Sequence, residues 1–69
     1  MNPIKREIHK IQLLERLTSE LWKFLTVPQK DDLNKLYCDI FYKRDKYTTK
    51  EIKAYFTIWT YDNNINLNT

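Results

Sequence analysis

Between residues 4 and 25 the apolar side chains Ile4, Ile8, Ile11, Leu14, Leu17, Leu21 and Leu25 recur in steps of three and four. Residues so spaced stack on one face of an α-helix, so this is the pattern of a helix buried along one side. Asn2 and Pro3 suit its start. The Asn side chain can cap the first turn, and proline is tolerated where the backbone N–H has no partner anyway. The pattern predicts a first helix over 3–25, about 34 Å long at 1.5 Å per residue. Its polar face carries Lys5, His9, Gln12, Arg16, Ser19, Glu20 and Lys23.

Thr26 followed by Gln29 has capping-box spacing, and Pro28 fits a first turn. A second helix is predicted over 28–44. Asp31 and Asp32 lie toward its positive end, and Lys43 and Arg44 toward its negative end. Leu33, Leu36, Tyr37, Ile40 and Phe41 form its buried stripe, with Lys35, Cys38, Asp39 and Tyr42 outside. After a short connection, Thr48 to Glu51 forms a second capping box, and Ile52, Tyr55, Phe56 and Trp59 continue at helical spacing. One conflict arises. Residues 55–61 are all strand-favouring types, and with Ile65 to Leu67 they would make a hairpin. The capping box and the marginal stability of a lone hairpin favour a helix over 49–61. Residues 63–69 read as an Asn-rich, flexible tail, from which Ile65 and Leu67 have the option of docking back.

The expected architecture is therefore all-α: one small three-helix domain with a long first helix. Its core should gather Leu14, Leu17, Leu21, Leu25, Leu33, Leu36, Ile40, Phe41, Ile52, Phe56 and Trp59. The first helix carries a surplus. Leu13, Trp22 and Phe24 widen its apolar arc to about twice the stripe a surface helix needs. Either it is a well-buried central helix or part of the arc meets a second chain. Glu7 intrudes on the apolar side, so the first two turns are expected to project or fray.

Composition narrows the chemistry. At 69 residues there is one domain, with a core of the size that rarely supplies more than about 3–5 kcal/mol unaided. One cysteine permits no internal disulfide, and no Cys/His grouping has zinc-ligand spacing. The lone thiol fits a reducing cytoplasm. Glycine is absent, which argues against phosphate-cradling loops and glycine helix caps. Net charge is +3, without blocks of like charge. No apolar run is long enough for a membrane span, and charges recur through the first residues where a signal peptide would be apolar.

Catalytic parts are sparse. His9 falls among Lys5, Gln12 and Arg16, without a grouped acid. Cys38 has no histidine at helical spacing, and Ser19 has no base beside it. The expectation is no enzyme, no cofactor, no metal and no small-molecule substrate.

Two binding readings remain. The first is a protein-interaction module, a regulator or inhibitor that docks on a larger protein or on itself through the first helix. It rests on the wide arc and on two Trp, five Tyr and three Phe in so short a chain. Its candidate residues are Ile4, Ile8, Ile11, Leu13, Trp22, Phe24, Tyr42 and Tyr61, with Tyr47 and Tyr55 also candidates for partial exposure. The alternative is a helix-turn-helix-like regulator that lays its third helix in duplex DNA. Lys50, Lys53 and Thr57 would face the groove, while Arg44, Lys46 and Tyr47 would hold phosphates. Arg16 and Lys23 would extend that strip if the first helix runs alongside the third.

Overall fold

The computed structural model describes residues 3–65, with side chains from Lys5 onward. Three helices make up the domain: α1 (Pro3–Trp22), α2 (Val27–Tyr42) and α3 (Thr49–Asp62), with a 3₁₀ turn at Arg44–Lys46 between the last two. No strand occurs among the described residues, so the strand-favouring run 55–61 is helical. The buried stripe Ile52, Phe56 and Trp59 explains why, since tertiary packing overrides local propensity.

Both capping boxes are formed. Gln29 N donates to Thr26 Oγ1 and Thr26 N to Gln29 Oε1; Glu51 N donates to Thr48 Oγ1 and Thr48 N to Glu51 Oε1. The first helix stops at Trp22 and not at Leu25, because Thr26 must be extended to cap α2. The chain tightens there into i→i−3 bonds, Phe24 N to Leu21 O and Leu25 N to Trp22 O. This turn folds Leu25 back into the core. The second helix ends at Tyr42, with Lys43 as its cap. Arg44 lies just past that end and donates from Nη1 to Phe41 O at 2.9 Å, satisfying an orphaned carbonyl.

The third helix ends without glycine. Asn64 takes the left-handed conformation at φ 54°, which asparagine tolerates better than most residues. Ile65 N then donates to Thr60 O and Asn64 N to Tyr61 O, the Schellman pattern. Ile65 packs against the core, as that motif favours. Asn63, Asn64 and Ile65 thus belong to the helix end, while the rest of the expected tail, 66–69, lies outside the described residues.

The first helix is central. The backbones of α2 and α3 each pack closely on α1 and approach one another less. The short α1–α2 connection makes those two antiparallel. Helix α3 runs parallel to α1: Lys5 to Lys10 face Thr48 and Thr49, and Leu17 to Phe24 face Phe56 to Thr60. The core is Leu13, Leu14, Leu21, Leu25, Leu33, Ile40, Ile52, Phe56 and Trp59, with Leu17, Leu36, Tyr37, Phe41 and Tyr47 partly buried around it. Leu13, expected on the free arc, is only 6% exposed.

Polar contacts fasten the bundle at both ends. Trp59 Nε1 donates to Asp32 Oδ2 at 2.8 Å, linking α3 to α2. Asp32 lies beyond the first turn of α2, so this bond, and not the helix dipole, is its main role. At the other end Glu7 pairs with Arg44 at 3.7 Å, and Lys10 Nζ donates to Arg44 O at 2.8 Å. At Glu7 and Lys10 α1 is therefore docked on the 3₁₀ turn, against the expectation that Glu7 would make this part project.

Asp32→Ala should lower stability by about 1–3 kcal/mol, because the half-buried indole N–H loses a charged acceptor. Asp31→Ala, one exposed residue away, should stay within about 0.5 kcal/mol. Urea titration of the two variants checks this pair. Thr18 Oγ1 is buried without a hydrogen-bond partner. Thr18→Val keeps the shape and removes the orphan, so it should raise the thermal midpoint, with a gain on the order of 1 kcal/mol.

Candidate binding surfaces

The parallel α1–α3 pairing leaves a seam of two clefts between those helices. The first, about 650 Å³, is lined by Lys5, Arg6, His9, Lys10, Thr48 and Thr49. The second, about 540 Å³, lies further along and is lined by Arg16, Leu17, Glu20, Leu21, Lys23, Phe24, Lys53, Phe56, Thr57 and Thr60. On the α2 side of α1 a shallower cleft of about 410 Å³ is lined by Thr18, Ser19, Trp22, Asn34 and Tyr37.

Helix direction sorts the charges. The start of α1, the end of α2, the 3₁₀ turn and the start of α3 meet at one end. Lys5, Arg6, Lys10, Lys43, Arg44, Lys46 and Lys50 gather there, against Glu7, Asp39, Asp45 and Glu51. The opposite end joins the α1–α2 connection to the end of α3, held by Gln29 Nε2 donating to Asn63 O. Its acids are Glu20, Asp31, Asp32 and Asp62, and its cations are Lys23 and Lys30. Both cations lie over aromatic rings, Lys23 Nζ at 5.3 Å from the Phe24 centroid and Lys30 Nζ at 5.6 Å from that of Trp22.

The apolar candidates divide between these ends. Trp22 and Phe24, each 39% exposed, and Tyr61, 80% exposed, lie at the acidic end. Val27 at 78% and Ile58 at 56% join them, and neither belongs to the sequence-derived set. Ile58 lies one turn before Tyr61 and, on the helical wheel, well away from Ile52, Phe56 and Trp59; that displacement is the signal that would have found it. Ile8 and Tyr42 are exposed toward the basic end, and Ile11 is half-buried. Leu13 leaves the set, because it is buried in the core. The side chain of Ile4 lies outside the described residues.

The basic candidates do not form one face. Arg44 is tied down: its guanidinium lies 4.9 Å from the Phe41 centroid, donates to Phe41 O and pairs with Glu7. Tyr47 is half-buried edge-on against Tyr55, with centroids 5.4 Å apart. Lys46 and Lys50 are exposed. Lys53 and Thr57 turn toward α1, where they share the second cleft with Arg16 and Lys23. The conditional part of the sequence reading is met, since the first helix does run alongside the third. The outward ridge of α3 is instead Lys50, Ala54, Ile58 and Tyr61.

His9 is exposed on the seam, and Cys38 is a half-buried free thiol on α2. Among the described residues no group of three or more His, Cys, Asp or Glu is placed to hold a metal ion, and no helix is long and apolar enough to cross a membrane. No family model, curated protein or solved structure matches the chain.

Burial pushes the Tyr37 phenol above its ordinary 10.0, with the Glu15 carboxylate and Cys38 acting in the same direction. Its ring also stacks on Phe41, with centroids 5.8 Å apart. Above about pH 10 the unfolded chain releases this proton before the native one does. The native state then holds more protons, and stability falls as pH rises. Tyr37→Phe should make that alkaline decline shallower. In a 295 nm titration it should remove a tyrosine step that lies above pH 10 from the native protein's curve.

Proposed function

We propose that this chain is a small, non-enzymatic protein-interaction module, a regulator or inhibitor that docks on a larger protein through its acidic-rimmed, apolar end. The observation that carries the reading is the gathering of Trp22, Phe24, Val27, Ile58 and Tyr61 at that one end. Single exposed hydrophobics are ordinary on any protein surface, but large ones grouped around one end are not. Trp and Tyr are also the side chains that most often anchor interfaces.

Shape selects the occupant. The domain measures 38 × 22 × 17 Å, so this end offers a cross-section of only 22 × 17 Å. Two such convex ends meeting face to face fall short of the roughly 800 Å² per partner of a standard interface. A concave socket reaches the flanks as well, where Trp22 lies on the α2 side and Phe24 on the α3 side. The fitting partner is therefore a larger protein with an apolar socket. Cations at its rim would complement Asp31 and Asp62.

A photo-crosslinker in place of Tyr61 tests this in native cells, with the same group at Lys35 on the outer face of α2 as control. The expected result is one adduct with a larger protein from position 61 and none from 35. The purified adduct partner should then bind the wild-type chain at least tenfold more tightly than Ile58→Asp. Circular dichroism should be unchanged, because Ile58 is exposed. An adduct between two copies, or none at all, overturns the proposal.

A further inference from the structure

We propose a second binding surface, which meets the first at Phe24: the α1–α3 seam holds the phosphate backbone of a nucleic acid. The argument begins with the cleft at the basic end. Lys5, Arg6, His9 and Lys10 line it, and no carboxylate does so among the described residues. The nearest acid on α3, Glu51, turns back to accept from Thr48 N. Lys10 gives one N–H to Arg44 O, which fixes its ammonium at the cleft wall with two donors remaining. The start of α3 adds its positive dipole end from the opposite wall.

The seam continues in one direction only. Along α1 the second cleft is centred about 18 Å further on, at 1.5 Å per residue. It presents Lys23 and Lys53, together with Arg16, whose charge the single acid Glu20 offsets at 3.8 Å. Two cationic clusters so spaced along a concave line suit a polyanion whose charges recur along its length. A flat anionic membrane would reach only the ridges beside such a groove. A linear polyanion can lie within it.

This is a backbone contact and not base reading. No side chain is arranged here as a bidentate pair for a base edge, so affinity should be insensitive to sequence and steep in salt. It also differs from groove entry by α3. The outward ridge of that helix is largely apolar, and its cations Lys53 and Lys50 lie toward the α1 side and the basic end.

Fluorescence anisotropy with a labelled 20-base-pair duplex and the matching single strand tests the proposal. For four or so neutralised phosphates, the plot of log affinity against log salt for the duplex should have a slope of roughly −4. Lys5→Glu with Lys53→Glu should weaken binding at least tenfold in 50 mM salt and flatten that slope by about two. Helicity should be retained, since both side chains are exposed. Lys35→Glu, which changes net charge on the far face of α2, should alter affinity less than threefold. No binding to either oligonucleotide in 20 mM salt overturns the proposal. So does an equal loss from Lys35→Glu, which would mean net charge alone, or binding to anionic phospholipid vesicles without binding to either strand form. Failure here leaves the crosslinking result at Tyr61 untouched, because the surfaces do not share the substituted residues.

Discussion

Helix α1 is the wall on which both other helices rest, and this constraint orders the rest of the molecule. A helix covered from one side needs a stripe a little wider than 100°; one covered from two sides needs about twice that. Leu17 therefore lies beside α3, while Thr18 and Trp22 lie toward α2. The wide arc that looked like surplus is the cost of having no third neighbour. With α2 and α3 less closely packed on each other, two side-chain bonds, Trp59 to Asp32 and Gln29 to Asn63 O, tie them at the far end. The Arg44 cluster closes the near end by holding the 3₁₀ turn to the start of α1.

The same arrangement decides which surfaces stay open. Helices that flank a common wall leave a seam on each side of it, and helix direction sets the chemistry of each seam. Because α1 and α3 run parallel, the cations of their first turns gather at one end. The parallel dipoles add there instead of cancelling. The opposite end collects the connection after α1 and the cap of α3, both built from short turns that leave Phe24, Val27 and Tyr61 outside. A short chain without glycine cannot bury every turn, so apolar residues near its caps stay exposed.

Much of this was legible in the residues themselves. Helix starts were, because a capping box is a local object: Thr26 with Gln29 and Thr48 with Glu51 each satisfy their own backbone donors. Helix ends were less so. Without glycine, α3 stops at a left-handed Asn64, and α2 stops where Arg44 supplies a donor from outside the helix. Neither residue type announces that role. The flanks of α1 were not legible, since periodicity says which side is apolar but not which neighbour covers it. That is why Leu13 was read as free and Glu7 as a source of fraying. Asp32 was misread for a related reason: its partner lies 27 residues away, beyond the reach of any local pattern.

The binding surfaces divide along the same line between local and long-range information. Lys53 and Thr57 were picked out on one helix, and only the parallel course of α1 turns them from an outward strip into one wall of a groove. Arg44 shows the converse. A turn arginine is a reasonable phosphate ligand until its carbonyl, guanidinium and aromatic neighbour are all seen to be engaged. An arginine so engaged would have to release Phe41 O and Glu7 before it held an anion, and each release carries a cost. The exposed ammonium groups of Lys5 and Lys53 on the seam have no such contacts to break among the described residues. In a molecule this small, the residues that fasten the fold and those left to bind a partner are therefore told apart by what else they hold, and only secondarily by charge.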